Sequence, residues 1–280
     1  MLRHAESAMG TVFSFAVRDA DPGQLDILGP ALAELHRLDA LFSPYLPHSE
    51  LSRLARGELT TDQCDPLVGE ALAHCAAVAT ETGGWFTAHP GGRLDPSGWV
   101  KGWAIERASD LLLTAGYRHH SVTGGGDVQT RGEAAPGQPW RVGVADPTRA
   151  GFLAAVLAGQ PSRTGQPSQT GQTGRATGQT GQSDASERTE GFAVATSGTA
   201  ERGEHIVDPK SGGPARGLLS LTLVGPRLAR TDAYATAAFA MGPLRALDWV
   251  TAKDGYEALA VLPDGRRLGT PGVARYLVEA

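Results

Sequence analysis

From Gly159 to Gly191 the chain carries no Val, Leu, Ile, Met or aromatic residue, and Thr-Gly-Gln recurs from Thr164, Thr170, Thr177 and Thr180. A stretch with nothing to bury cannot join a core, and it is expected to be a flexible excursion, tolerated because loop-closure cost rises only logarithmically with length. A functional lid is the competing reading, disfavoured because low-complexity repeats rarely hold one geometry. The folding information therefore lies in the two flanks. The runs 152–157 and 192–195 that border the excursion read as strands of one hairpin, and residues 1–280 are expected to form one domain with 159–191 inserted in it. A chain of 280 residues removes about 75% of its unfolded surface from water, so neither disulfides nor a structural metal are required for folding.

Charge narrows the partners. Thirty Asp and Glu outweigh 25 Lys and Arg, a net charge of −5 that argues against a phosphate-backbone or anionic-membrane partner. No nucleic acid is expected. The basic residues are 22 Arg and only Lys101, Lys210 and Lys253, so a lysine within a glycine-rich motif stands out. Cys64 and Cys75 read as lying on one helix and form neither a disulfide framework nor a zinc pattern. No run reaches the roughly 18–20 apolar residues of a membrane span, and no signal peptide or lipid-carrying cysteine is seen, which leads us to expect a cytoplasmic protein.

Apolar periodicity predicts a first strand over 10–18, then a helix through Leu25, Leu28, Leu32 and Leu35 that Pro30 should kink or restart. Ser49 is placed to cap a short helix through Leu51 and Leu54, and a longer helix through Val68, Leu72, Cys75 and Ala79 should end at Gly83-Gly84. A further helix is predicted over 99–115. Strands are expected at 121–132, 140–144, 218–224, 256–262 and 275–278, with helices over 230–241 and 244–250. Helices and strands do not alternate as regular βαβ units, which favours an α+β fold.

Five segments hold more polar and glycine residues than packing requires: Met9-Gly10-Thr11, 94–102, 124–127, 195–198 with 205–209, and 231–236. On a helix, Asp232 and Thr236 place a carboxylate and a hydroxyl one turn apart on one face, an oxygen corner of the kind magnesium prefers. The alternative is that Asp232 favours a helix start while Thr236 packs. Asp95 and Lys101 bracket a helix start, where amides and an ammonium can meet an anion; a turn followed by a surface lysine is the plainer reading. Gly124-Gly125-Gly126-Asp127 fits no Rossmann or P-loop pattern. It is either a strand-ending turn whose Asp127 caps amides or part of a ligand cleft. His205 and Asp208 fall on opposite faces of an extended run, so each would act alone or serve structure only.

In their order along the chain, Met9-Gly10-Thr11, 42–54, 82–86, 94–104, 124–128, 195–198, 205–209 and 231–242 resemble the ApbE family of flavin transferases. The resemblance implies an ApbE-like α+β fold related to the T-fold, with mixed sheets flanked by helices and an active-site cleft between subdomains. It implies transfer of FMN from FAD, the substrate, to a Ser/Thr hydroxyl of an acceptor flavoprotein. It further implies a flavin and adenine cleft of Met9, Tyr45, Trp85, Phe86, Thr87, Asp95, Lys101 and Ile206, and Mg2+ held by Asp232, Thr236 and the backbone carbonyl of Gly98.

The chain departs from the family's pattern at Thr87, where an aspartate is usual, and at Ala235, where some relatives carry a second carboxylate. A second metal is therefore not expected. An acceptor hydroxyl would attack the FMN phosphorus and expel AMP, with His205 a better proton acceptor than Asp208 because an unperturbed histidine pKa near 6.5 suits neutral pH. A magnesium-dependent FAD pyrophosphatase yielding FMN and AMP, or a non-catalytic FAD-binding protein, would use the same residues. The chain has no Ser/Thr-Gly-Ala-Thr-like stretch, so self-flavinylation is not expected.

Overall fold

The computed structural model describes residues 1–159, 191–199, 203 and 206–279. The chain runs β1 (Leu2–Ala8), β2 (Thr11–Val17), α1 (Gly29–Phe42), α2 (Glu50–Ala55), α3 (Pro66–Glu81), α4 (Ser97–Thr114), β3 (His120–Gly124), β4 (Asp127–Arg131), β5 (Glu133–Ala135), β6 (Gln138–Pro139), β7 (Arg141–Ala145), β8 (Leu153–Ala158), β9 (Ala193–Gly198), β10 (Ser220–Gly225), α5 (Leu228–Met241), α6 (Pro243–Thr251), β11 (Glu257–Val261), β12 (Arg267–Gly269) and β13 (Leu277–Val278). The fold is α+β. An eight-stranded sheet, ordered β1-β2-β3-β4-β9-β10-β11-β12, stands beside a three-stranded sheet β13-β8-β7 and the small ribbon β5-β6. Neighbouring strands pair antiparallel throughout the described residues.

Alternation along the central strands explains the layers. On β10, Leu221 and Leu223 turn to the helices α1, α3, α4 and α5, whereas Val224 joins Val194, Val128 and the small sheet's Val142, Val144 and Leu157 on the other face. Central strands covered on both sides lose the polar-out pattern of a half-exposed sheet, and β4 and β10 are buried along their whole length. Two α-helices, α4 and α5, cross closely on the helix side. Their approach depends on Gly102, because a Cβ there would lie 2.8 Å from Asp232 Cβ and 2.9 Å from the Leu228 carbonyl oxygen.

Several local readings hold. A 3-10 turn at Leu25–Leu28 gives way to α1 with Pro30 in its first turn, and Ser49 accepts the Ser52 N–H to cap α2. Others need correction. The first strand is preceded by β1, whose Arg3, His4 and Glu6 masked its alternation; the pair closes through Met9 and Gly10, at φ 52° and 70°, as a two-residue hairpin loop with φ positive at both positions requires. Cys64 precedes α3 rather than lying on it, since Asp65 caps that helix and Pro66 opens it. The runs flanking the excursion do not pair as a hairpin: β8 pairs with β7 and β13, and β9 with β4 and β10. A local hairpin closed by the Asp146 N–H to Phe152 carbonyl bond gives β8 its partner at a smaller loop-closure cost. Residues 160–190 lie outside the described residues.

Candidate functional site

A cavity of about 300 Å³ opens where the start of α4 and the helix α5 meet β7, β9 and β10. Of the residues singled out in the sequence, Trp85, Phe86, Thr87, Asp95, Gly98, Lys101, Ile206, Asp232 and Thr236 line it. Segments separated by more than a hundred positions thus meet on one surface. Three others do not line it. Tyr45 is 82% exposed, in the turn-rich segment between α1 and α2. Met9 packs at the β1–β2 turn against the helix-side core. Asp208 spends its carboxylate on its own turn, accepting the Lys210 N–H and the Ser211 hydroxyl at 2.8 Å each. His205 lies outside the described residues.

The oxygen corner is built by the α4–α5 crossing. Asp232, 4% exposed, accepts the Gly102 N–H at 3.1 Å. Thr236 Oγ1 lies 3.4 Å from Ser197 Oγ. A Cβ at Gly98 would stand 3.5 Å from Thr236 Oγ1 and 3.2 Å from the Phe86 ring, so glycine leaves that backbone open beside Thr236. Among the described residues no cluster of three or more His, Cys, Asp or Glu could hold a metal. One buried carboxylate with hydroxyl and carbonyl oxygens instead fits a hard cation that keeps places for waters or ligand phosphates.

Next to this corner, the Lys101 ammonium pairs with Asp127 and stands 3.8 Å from Asp232 Oδ2. Asp127 begins β4 directly after the Gly125-Gly126 turn, is fully buried, and accepts the Thr196 N–H at 2.9 Å. Both readings of that motif therefore apply, to different residues: the aspartate caps a backbone amide, and Gly125 and Gly126 line the cavity. Asp95 accepts the Ser97 N–H at 3.0 Å at the start of α4. Turn capping and a place on the cavity wall coexist there too.

Trp85 and Phe86 supply the aromatic lining. Trp85 carries the Arg245 guanidinium 5.0 Å and the Lys210 ammonium 5.7 Å from its ring centre. The Asp208 carboxyl is held below the usual carboxylate range, chiefly by the Lys210 N–H. A general base at neutral pH would need the opposite shift. The 143–147 segment was not anticipated: Val144 and Ala145 of β7 and Asp146 directly after it line the cavity. Asp146 is tied by the Thr148 N–H and hydroxyl at 2.9 and 2.6 Å, which lower its pKa. Its Asp-Pro turn after an apolar strand was the available signal. Ser220, also on the wall, is buried with no hydrogen-bond partner for its hydroxyl among the described residues.

The fold is α+β, and its cavity brings together an oxygen corner, a paired lysine and aromatic side chains. Residues 9–91 and 87–260 match the ApbE family, and the chain belongs to it. It is 28% identical to an FAD:protein FMN transferase of Rhodobacter capsulatus over 96% of this chain and 48% of that protein, and 24% identical to one of Salmonella typhimurium over 63% and 45%. The chain thus spans about half the length of the curated relatives it matches. Among solved structures, the flavin transferase ApbE of Vibrio cholerae superposes with a TM-score of 0.76 at 17% identity, covering 99% of each chain. The ApbE protein of Thermotoga maritima gives 0.76 at 21% identity, also over 99% of each chain. These likenesses establish the fold. No described helix is long and apolar enough to cross a membrane.

Proposed function

We propose that the chain transfers FMN from FAD to a Ser/Thr hydroxyl of an acceptor flavoprotein and releases AMP. One observation carries the reading: the buried Asp232 carboxylate and Thr236 hydroxyl share a cavity wall with Gly98 and the Lys101 ammonium. The naming of the matched relatives as FAD:protein FMN transferases supports it.

Asp232, Thr236 and the Gly98 carbonyl would hold Mg2+, which when bound supplies positive charge to the diphosphate. Lys101 offers its ammonium to the same anion, and Trp85, Phe86 and Ile206 give the rings an apolar surface that excludes water. The acceptor oxygen bonds to the FMN phosphorus as the bond to the AMP phosphate oxygen breaks, and AMP leaves. The hydroxyl proton is assigned to His205, adjacent in the chain to the cavity residue Ile206. Asp208 is not assigned this role, given its turn and its lowered pKa.

The test is to incubate the chain with FAD, Mg2+ and a flavoprotein acceptor and weigh the acceptor by mass spectrometry. Acceptor heavier by one FMN group, with AMP in equal amount, is expected. Free FMN and AMP with unmodified acceptor would make the chain a pyrophosphatase. FAD recovered intact would make it a binding protein.

A further inference from the structure

We propose that Lys210, Arg216 and Arg245 form a docking surface at the rim of the cavity for an acidic segment of the acceptor protein. The proposal rests on the transfer reading given above, since a protein acceptor has to lie across that rim to bring its hydroxyl to the FMN phosphorus.

Two pieces of chain carry these cations to the rim. Residues 206–215 turn back on themselves, closed by the bonds from the Ala215 N–H to the Ile206 carbonyl and from the Asp208 N–H to the Gly213 carbonyl, 2.8 Å each, and Ile206 and Val207 line the cavity. Lys210 stands in the turn of this ribbon, its ammonium donating to the Gly83 carbonyl at 2.8 Å. Helix α6 supplies Arg245, and a Cβ at Gly242, the residue before α6, would lie 3.7 Å from the Arg216 carbonyl oxygen. The end of the ribbon thus runs beside the helix start. Lys210 and Arg245 share one aromatic partner, at 5.7 and 5.0 Å from the Trp85 ring centre. Trp85 is half-buried and lines the cavity, whereas both cations are exposed, so the positive charge lies where the cavity meets solvent.

Charge decides the occupant. Among the described residues, none of the three cations stands within 4.0 Å of a carboxylate. The acids nearby are engaged elsewhere: Asp208 accepts the Lys210 N–H and the Ser211 hydroxyl, and Glu81 accepts the Tyr234 hydroxyl and pairs with Arg230. In the proposed reaction the diphosphate lies at the oxygen corner beside Lys101, which leaves the rim cations to the acceptor. A chain of net charge −5 repels an acidic protein at long range, so a local group of cations without carboxylate partners sets the place and orientation of its landing.

Steady-state transfer by the full chain tests this, with FAD, Mg2+ and a flavoprotein acceptor that carries Asp or Glu within a few residues of its modified hydroxyl, at low and high NaCl. Lys210→Glu combined with Arg245→Glu should raise the acceptor KM at least about tenfold at low salt and flatten its salt dependence, with kcat and the FAD KM unchanged. Lys210→Arg combined with Arg245→Lys keeps both charges and should retain the acceptor KM. An acceptor whose neighbouring Asp and Glu are changed to Asn and Gln should be used equally well by the unsubstituted and the charge-reversed chain. An unchanged acceptor KM in the folded charge-reversed variant overturns the proposal. A rise confined to the FAD KM gives the cations to the nucleotide, and an equal loss with the neutralised acceptor marks a structural effect; either overturns it as well. Should the double reversal fail to fold, Arg245→Glu decides alone on the same readings. An unsubstituted chain that modifies no acceptor overturns the transfer reading beneath, and this proposal with it.

Discussion

Gly102→Ala tests whether the α4–α5 crossing builds the site. Inside an exposed helix, alanine is favoured over glycine by about 1 kcal/mol. Here the added Cβ would meet Asp232 Cβ at 2.8 Å, the Leu228 carbonyl oxygen at 2.9 Å and Asp232 Oδ2 at 3.1 Å. Two of the three contacts involve a backbone carbonyl or a Cβ fixed by the backbone rather than the end of a flexible side chain, so the helices must part. Overpacking of this kind costs about 1–3 kcal/mol, and weakening the Gly102 N–H bond to a buried carboxylate adds about 1.5–3 kcal/mol. Against the propensity gain, the net loss is roughly 1.5–5 kcal/mol. At about 2–4 °C per kcal/mol, Tm should fall by about 3–20 °C in a calorimetric or circular dichroism melt. The matching control is Gly69→Ala in α3, whose Cβ would make only an ordinary 3.6 Å contact with Thr61, so the same substitution should leave Tm unchanged or raise it. An unchanged or raised Tm for Gly102→Ala would refute the reasoning.

In FMN-transfer assays, Asp232→Ala should lose at least about a hundredfold in rate and Thr236→Ala only about tenfold, because a charged metal ligand outweighs a neutral one; equal losses would contradict the assignment. Asp208→Ala should lower Tm slightly through its turn and leave transfer intact, whereas abolished transfer would return Asp208 to the chemistry. Burial pushes the His120 pKa down to about 4, with Nε2 2.7 Å from Ser109 Oγ and Nδ1 2.7 Å from the Tyr117 carbonyl oxygen. The unfolded chain protonates first, so this histidine's contribution is complete above pH about 6.5 and is lost as pH falls toward about 4, up to roughly 3 kcal/mol. Urea melts of His120→Gln should show a shallower decline across that window; parallel curves would rule the histidine out as its source.

What the sequence made legible follows from which signals are local. The helix restart at Pro30, the Ser49 cap and the strand alternation of 10–18 are written within a few residues and appear as α1, α2 and β2, whereas the start of α3 at Asp65-Pro66 was passed over when Cys64 was placed on that helix. Pairing is not local, so the partner of β8 could not be read from its own apolar run. The Asp232–Thr236 pair was visible as a helical spacing, but its meeting with Gly98 depends on Gly102, whose reason lies in a second helix 130 positions away. Asp127 stayed open between a turn cap and a cleft residue because Lys101 and Thr196, which it meets, come from elements far off in the chain. Tyr45 and Asp208 show the converse: residue type and motif order suggested a ligand contact, while exposure in one case and an Asx turn in the other decided their surroundings.

Crystals grown with FAD and Mn2+ and measured at the manganese absorption edge address the site most directly. The account predicts one anomalous peak bonded to the Asp232 carboxylate and the Thr236 hydroxyl, with the diphosphate on its open side. A peak elsewhere, or FAD seated with its diphosphate away from Asp232, would contradict it.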